Sequence, residues 1–270
     1  MKKILTIAGS DSGGGAGIQA DLKTITVLGA YGMSAITALT AQNTLGVQGI
    51  YPVPVDFIGQ QMDSVLSDYG ADGAKTGMLA TPEIVVAVAE KLEAYRVEGL
   101  VVDPVMVAKG GDVLLTEEAR VNVKEVLLPL AYVVTPNLPE AADLCGHEVV
   151  NLESMKAAAE EIHRMGTPYV LIKGGHLEGD AVDLLYDGNG FHTFSSPRLD
   201  NRNTHGTGCT FSAALATLLA QGCAVPDAVG KAKKFITRAI ARSLDFGAGH
   251  GPTNHYAHVL HMREGEDPWR

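Results

Sequence analysis

Cysteine and positive charge are both scarce in this chain of 270 residues. The three cysteines, Cys145, Cys209 and Cys223, show neither metal-site spacing nor an even disulfide set, which favours a reduced, cytoplasmic protein. Lys and Arg total 21 against 31 Asp and Glu, a formal net charge of −10. A pI of about 5.3 therefore argues against nucleic acid as the main partner, although a local basic pocket for a small anion remains compatible with it.

Long apolar runs are also missing, so no membrane partner is expected. No stretch approaches the roughly 18 apolar residues of a membrane span. The apolar start reaches Ser10 and Asp11 too early for a secretory signal. Hydrophobic residues are still 46% of the chain and charged residues 19%, which excludes long disorder. Without a linker-like change in composition, we predict one domain over residues 1–262 and a frayed tail over residues 263–270.

Short apolar runs alternate with amphipathic stretches, a pattern typical of the α/β class. The predicted strands are residues 4–8, 34–39, 100–105, 132–135 and 169–173. The predicted helices are residues 18–28, 55–67, 82–94, 116–127, 152–165, 210–221 and 227–244. The alternation predicts a mainly parallel central sheet with helices on both faces. Two runs around an Asn-Gly turn, residues 184–186 and 191–194, predict a small antiparallel edge.

Glycine is abundant, and the first predicted strand runs into a glycine-rich loop over residues 9–17. The loop does not fit the dinucleotide-binding, Walker A or nucleophile-elbow patterns. An ordinary turn is one interpretation, but five glycines in nine residues favour a loop that contacts a ligand. Asp21 lies in the helix predicted after this loop, and a solvated carboxylate is its simpler interpretation.

A second glycine turn precedes the helix predicted from residue 210. Backbone N–H groups of Gly206, Thr207, Gly208 and Cys209 could converge there as an anion hole for a transferring phosphoryl group. Cys209 would lie in the first helical turn, where the helix dipole lowers the pKa of a thiol. An isolated cysteine is more often a small buried hydrophobe, but the preceding Gly-Thr-Gly favours a functional role.

Polar side chains follow two other predicted strands. Asp103 follows one strand, and Asn137 and Glu140 follow another. The carboxyl ends of strands face the ligand crevice in open α/β sheets, so Asp103 and Glu140 could hold Mg²⁺ beside a nucleotide phosphate. Taken singly, Asp103 is better explained as a helix N-cap and Glu140 as a first-turn acid, but their joint pattern favours the metal site.

Two lysines are further candidates for phosphate binding. Lys109 lies in a glycine-containing segment, residues 108–112, that we interpret as a lid, and Lys173 ends a strand. Either could equally be a surface charge. Four histidines, His250, His255, His258 and His261, lack a standard metal spacing, which disfavours a metal site there.

Together these motifs resemble the hydroxymethylpyrimidine/phosphomethylpyrimidine kinases of thiamine biosynthesis, within the ribokinase-like superfamily. The resemblance runs from about Lys3 to His258. It is carried by residues 8–21, 40–44, 75–79, 103–109, 135–141, 173–176 and 203–210. It implies a ribokinase-like fold, a homodimer, and ATP-dependent phosphorylation of 4-amino-5-hydroxymethyl-2-methylpyrimidine and then of its monophosphate.

The resemblance also assigns roles to individual residues. The residues implied to bind substrate are Gly9, Asp21, Gln42, Met78, Val105 and Val107. Those implied at the nucleotide site are Asn137, Lys173, His205 and Lys109. Cys209 matches the catalytic position beside Gly206, Thr207 and Gly208, and Asp103 and Glu140 match the magnesium region. Many ribokinase relatives carry Asp where this chain has Cys209, and some family members carry Glu at the Gln42 position.

The two phosphorylations place different demands on Cys209. In the first, a thiolate would take the proton of the substrate hydroxymethyl group. In the second, the nucleophile is a phosphate oxygen, already largely ionised at pH 7, which needs positioning more than a base.

The alternative within the superfamily is a pyridoxal or pyridoxine kinase. Some relatives with that activity carry a second cysteine in the lid. This chain has Ala108 at that position, which disfavours a dedicated pyridoxal kinase. A nicotinamide oxidoreductase is disfavoured by the failed dinucleotide pattern, and a non-catalytic binding protein by the intact glycine turn before Cys209.

Overall fold

The computed structural model describes residues 1–106, 116–175, 179–267 and 269. Within them, nine strands form one sheet in the order β3-β2-β1-β4-β5-β6-β7-β8-β9. The strands are β1 Lys3–Asp11, β2 Tyr31–Asn43, β3 Gly46–Pro52, β4 Gly73–Thr76, β5 Leu100–Val102, β6 Val133–Val134, β7 Tyr169–Ile172, β8 Ala181–Tyr186 and β9 Phe191–Ser196. The six central strands, β2, β1, β4, β5, β6 and β7 in spatial order, run parallel to one another. β3 and the β8–β9 hairpin are antiparallel. The predicted mainly parallel α/β sheet with an antiparallel edge is confirmed.

Helices cover both faces of this sheet. They are α1 Gly17–Val27, α2 Val55–Asp68, α3 Pro82–Ala94, α4 Glu117–Asn122, α5 Leu138–Cys145, α6 Leu152–His163, α7 Thr207–Ala220, α8 Val225–Ala241 and α9 Ala257–Arg263. α3 has the predicted bounds, and the Thr81 side chain caps it by accepting the Ile84 amide. The helix predicted over residues 116–127 instead divides into α4 and a π-helical segment, Val123–Leu127.

Two apolar cores flank the sheet, because neighbouring residues of its central strands point to opposite faces. On one face Leu5, Ile7 and Val134 pack against α2, α3 and α6. On the other, Ile4 and Val101 pack against α1, α7 and α8. α7 is buried from Thr210 to Leu218, which fixes its N-terminus beside the carboxyl ends of the parallel strands. Within the described part of the chain, no helix has the length and apolar character needed to cross a membrane.

Four elements are absent from the sequence prediction. They are β3, β4, α5 and α9. β4 was missed because Lys75 interrupts its apolar run, yet that lysine is fully buried. The tail also differs from the prediction, since the Trp269 ring lies 5.2 Å from that of His258 and below the Lys231 ammonium. This part of the tail is packed rather than frayed.

Candidate active site

A cavity of about 910 Å³ opens at the carboxyl ends of the parallel strands. Its size is typical of pockets that hold small molecules. The predicted site residues that line it are Gly9, Gln42, Met78, Asp103, Val105, Asn137, Glu140, Lys173, His205, Gly206, Thr207, Gly208 and Cys209. Val107, Lys109, the predicted lid and His176 lie outside the described residues.

The first glycine loop is organised by Asp11, which sequence reasoning missed. Its carboxylate accepts hydrogen bonds from the backbone amides of Gly13 at 2.8 Å, Gly15 at 3.0 Å and Ala16 at 2.8 Å. A fourth donor, His205 Nε2–H, approaches to 2.8 Å. Burial favours the neutral acid, but these hydrogen bonds hold the pKa of Asp11 below its ordinary value. An Asp followed by glycines two and four positions later is the signal that indicates this loop.

The two glycine turns touch through their backbones. Gly206 is the N-cap of α7 with φ +81°, and a Cβ at this position would overlap the Gly15 carbonyl oxygen. Gly17 has φ +55°, and a Cβ there would overlap the carbonyl oxygen of Gly9. Only glycine permits both the left-handed backbone and the close approach.

The first turn of α7 combines backbone donors with a positive side chain. Amides in this turn have no acceptor within the helix, so those of Gly208 and Cys209 are available to an anion. A Cβ on Gly208 would lie 3.5 Å from Lys173 Nζ and 3.6 Å from Asp103 Oδ2. An ammonium group therefore lies directly beside the helix N-terminus, as charge stabilisation of a phosphoryl group requires.

The Cys209 thiol differs from the sequence expectation. The helix dipole was predicted to lower its pKa, but burial raises that pKa to about 11. Lys75 opposes the increase, as does a hydrogen bond from the Gly17 amide, whereas Asp21 and Asp103 add to it. Loss of hydration outweighs the helix dipole here, so the thiol is neutral at pH 7.

Asp21 is not the solvated carboxylate of the simpler sequence interpretation. It is fully buried, and it binds Lys75 Nζ at 2.9 Å and the Thr6 hydroxyl at 2.6 Å. Burial alone would lower the pKa of Lys75, but attraction to Asp21 holds it above the ordinary value, so the pair is ionised. The pair lies behind the cavity wall, so in this structure Asp21 is not brought to the predicted substrate contacts.

Asp103 and Glu140 approach one another in the cavity wall. Asp103 Oδ1 accepts from Lys173 Nζ at 2.8 Å, and its Oδ2 accepts from the Ser212 hydroxyl at 3.2 Å. Burial raises the pKa of Glu140 to about 7, an increase opposed by Lys173 and reinforced by Asp103. Glu140 also forms a capping box with Asn137 at the start of α5, as its first-turn interpretation predicted.

This donor set fits a hydrated magnesium ion. Two buried carboxylates repel one another here, and a divalent cation between them would remove that repulsion. Direct coordination by Asp103 would compete with Lys173, so contact through water suits the arrangement better.

A second buried ion pair, which gave no sequence signal, supports the part of the cavity wall that contains Lys173. Lys233 Nζ lies 2.7 Å from Asp183 Oδ2, and Asp183 Oδ1 accepts the Gly174 amide at 3.0 Å. The pair thereby fixes the turn that carries Lys173.

Two histidines of the C-terminal cluster have different partners. His255 forms a hydrogen bond with the Thr210 hydroxyl at 2.9 Å, whereas His250 forms one with the Arg202 carbonyl.

Comparisons with known proteins agree with this architecture. The family described as phosphomethylpyrimidine kinase matches residues 11–254. The hydroxymethylpyrimidine/phosphomethylpyrimidine kinase of Bacillus subtilis is 49% identical over 257 residues, covering 94% of this chain and 95% of that protein. A bifunctional thiamine biosynthesis protein of Geobacter sulfurreducens is 58% identical over 97% of this chain, which spans only 54% of that protein's length.

A solved structure matches nearly the whole fold. The ADP complex of Bacillus subtilis pyridoxal kinase has a TM-score of 0.91 and 44% identity, covering 96% of this chain and 99% of that one. The fold and the site thus define a small-molecule kinase of the ribokinase-like class. Within that class, the chain belongs to the phosphomethylpyrimidine kinase family.

Proposed function

We propose that this protein uses ATP to phosphorylate 4-amino-5-hydroxymethyl-2-methylpyrimidine and then its monophosphate, giving the diphosphate for thiamine biosynthesis. The observation that carries the proposal is the convergence of Cys209, the amides of the first turn of α7 and Lys173 at one end of the cavity. A relative named for this activity is 49% identical over 94% of this chain, and this similarity supports the choice of substrate.

Each part of the cavity has a task in this reaction. Gly9, Gln42 and Met78 form the wall beside Cys209 and receive the pyrimidine ring. Asn137 and Lys173 face the nucleotide phosphates. Phosphoryl transfer then depends on holding the acceptor oxygen in line with the γ-phosphate while amides and Lys173 stabilise its charge.

Cys209 acts on the hydroxymethyl group in the first step. Because the thiol is neutral at pH 7, it does not wait as a preformed thiolate. We infer that the thiol first releases its own proton to solvent, and that the resulting thiolate takes the proton of the substrate hydroxyl as the new oxygen–phosphorus bond forms and the bond to the ADP leaving group breaks. The second step needs no such proton acceptor.

We assign Asp103 and Glu140 to Mg²⁺, held through water. When bound, the ion supplies positive charge that neutralises the nucleotide phosphates. Lys173 orients Asp103, and the α5 capping box orients Glu140.

We infer one kinase domain over residues 1–262, since a single sheet connects both cores. We infer a homodimer, supported by apolar side chains left exposed on β2 and β3, with Leu39 47%, Ile50 42% and Tyr51 66% exposed. Three free cysteines and a net charge of −10 support a cytoplasmic protein that does not bind nucleic acid.

Vitamin B6 phosphorylation is the second candidate, favoured by the close structural match to a pyridoxal kinase. An ATP-coupled assay should compare the hydroxymethylpyrimidine, its monophosphate and pyridoxal side by side. We expect the highest kcat/KM with the two pyrimidines. Faster turnover of pyridoxal than of both pyrimidines would replace the proposed function with the second candidate.

A further inference from the structure

One buried carboxylate joins two turns that are 194 positions apart in the chain. Asp11 Oδ2 accepts His205 Nε2–H at 2.8 Å while the same carboxylate holds three amides of the first glycine loop. Asp11 is 3% exposed, and the His205 side chain is 16% exposed. The contact is thus largely shielded from water, where a charge-assisted hydrogen bond is strongest.

The His205 ring is enclosed on the loop side. It packs against Gly15, where a Cβ would overlap the ring, and Gln42 Nε2 lies 3.5 Å from its Nε2. Its backbone is bonded in both directions, through its amide to the Gly251 carbonyl and its carbonyl to the Thr253 amide. The ring nitrogen that faces the loop is therefore occupied by Asp11.

His205 also directly precedes the N-cap of α7. Gly206 rests on the Gly15 carbonyl, and the Gly17 amide donates a hydrogen bond to the Cys209 sulfur. The first loop therefore contacts the anion-hole turn at three places: its carboxylate, its carbonyl and its amide. A shift of the loop relative to the turn would move both the sulfur and the phosphate-binding amides.

We propose that His205 is a positioning residue that fastens the anion-hole turn to the substrate loop through Asp11. The bond keeps Cys209 and the amides of Gly208 and Cys209 in register with the bound acceptor oxygen. Small displacements in such geometry reduce rates steeply, by up to about 100-fold for 1 Å. The kinetic part of this inference rests on the proposed function; the mechanical part does not.

Three variants separate this role from others. His205→Leu removes the donor, and His205→Gln restores an N–H at a similar reach. His192→Leu is the matched control, because it breaks another His–Asp pair, to Asp187 at 3.0 Å, on the exposed β8–β9 hairpin. Each is assayed for kcat and KM with ATP and both pyrimidines, for melting temperature, and for amide hydrogen exchange over residues 11–17 and 204–210.

We expect His205→Leu to lower kcat at least about tenfold in both phosphorylations, with KM for ATP changed less than about threefold. Exchange should accelerate in both segments. His205→Gln should recover most of the rate and protection, and His192→Leu should match the wild type.

Three results would overturn the inference: an unchanged kcat and exchange pattern in His205→Leu, a selective rise in KM for ATP, or a His205→Gln variant as impaired as His205→Leu. Failure of the proposed function is a separate result, because the wild type itself would then not turn over either pyrimidine. The exchange measurement still tests the fastening role in that case.

Discussion

The thiol of Cys209 shows how local and long-range effects compete at a single residue. Its sequence neighbours suggest an activated cysteine at a helix N-terminus, whereas in the folded chain its sulfur loses hydration and lies near two carboxylates. Those surroundings depend on Asp21 and Asp103, which are distant in sequence. The residue type and its place in the site were predictable, but the direction of its pKa shift was not.

The site residues that the sequence analysis missed also depend on partners that are distant in sequence. Asp11, Lys75, Asp183 and Lys233 each acquire their role through a partner on another element. Lys75 stands in a short run beside Thr76 and Gly77, with no sign of the Asp21 carboxylate that makes its burial tolerable. Motifs predicted the groups that line the cavity, but not the buried pairs that hold them.

Cys209→Ala should affect the two phosphorylations differently. We expect the first step to slow by about 100-fold or more and the second by less than about tenfold, since only the alcohol must lose a proton. Single-turnover rates with each pyrimidine would measure this. Cys223→Ala, at another partly buried cysteine, is the control and should leave both rates unchanged. Equal losses in the two steps would contradict the assigned proton transfer.

Lys75→Met should destabilise the protein strongly, because it leaves the Asp21 charge buried without its partner. We expect a loss of about 3–5 kcal/mol in urea unfolding. The double change Lys75→Met with Asp21→Asn should recover much of that loss, since no unpaired charge remains. Lys91→Met, which breaks the exposed pair with Asp63, should shift the midpoint little. Similar midpoints for Lys75→Met and Lys91→Met would show that the buried pair matters less than its burial indicates.

At the scale of elements, prediction succeeded where the hydrophobic pattern agreed with the capping and helix-start residues. α3 has both a Thr N-cap and Pro at its start, and its bounds were predicted correctly. β3 failed because Gly and Pro interrupt an exposed edge strand. α5 had the capping-box spacing of Asn137 and Glu140, but Glu140 was considered only as a metal ligand or a first-turn acid, and no helix was predicted there. The type of most elements could be predicted from the local sequence, whereas edge strands and short helices depended on tertiary contacts.

Gly206→Ala tests whether the start of α7 requires the close approach to the first loop. Its positive φ costs about 1–2 kcal/mol with any Cβ, and overlap with the Gly15 carbonyl adds displacement of the turn. Gly222→Ala is the matched control, with φ +91° and open space around its Cβ. Both should lower the melting temperature, but only Gly206→Ala should reduce kcat, by about tenfold or more. Equal kcat values in the two folded variants would contradict this.

The start of α5 carries a pH dependence through Glu140. Burial raises its pKa from 4.5 to about 7, so the folded protein binds this proton more tightly than the unfolded chain. The stabilisation that this tighter proton binding gives the folded protein is therefore fully present below about pH 4.5, and it is lost as the pH rises through about 7. Glu140→Gln keeps an acceptor for the Asn137 amide and removes the titration.

Between pH 5 and 8 without divalent cations, the wild type should lose stability relative to Glu140→Gln, on the order of 2–3 kcal/mol. Chemical unfolding at several pH values would measure the difference. Glu83→Gln, at an exposed first-turn acid whose lowered pKa lies below this window, should give a curve parallel to the wild type. A parallel curve for Glu140→Gln as well would refute the raised pKa.

At the scale of the whole molecule, the parallel sheet brings distant motifs to one edge. β1, β4, β5, β6 and β7 are adjacent, so the segments after them line the same cavity although they span most of the chain. This convergence was predictable from strand–helix alternation, because parallel strands present their carboxyl ends together. The positions of β3 and of the packed tail were not, since both depend on contacts across the surface.

The apolar side chains left exposed on β2 and β3 predict self-association. We expect a dimer by light scattering at micromolar concentration. Combined Ile50→Glu and Tyr51→Glu substitutions should shift it toward monomer, because charges would be buried against the partner copy. Val150→Glu, at an equally apolar residue that is 62% exposed elsewhere, should leave the mass unchanged. A monomeric wild type would disprove the homodimer.

The neutral state of the Cys209 thiol bears on how the protein withstands oxidants. Peroxides attack thiolates rather than thiols, and cysteines with a low pKa are the ones that become sulfenic acids. A sulfur with a pKa of about 11 presents almost no thiolate at pH 7. We therefore expect Cys209 to resist oxidation by peroxide better than a cysteine whose pKa is low.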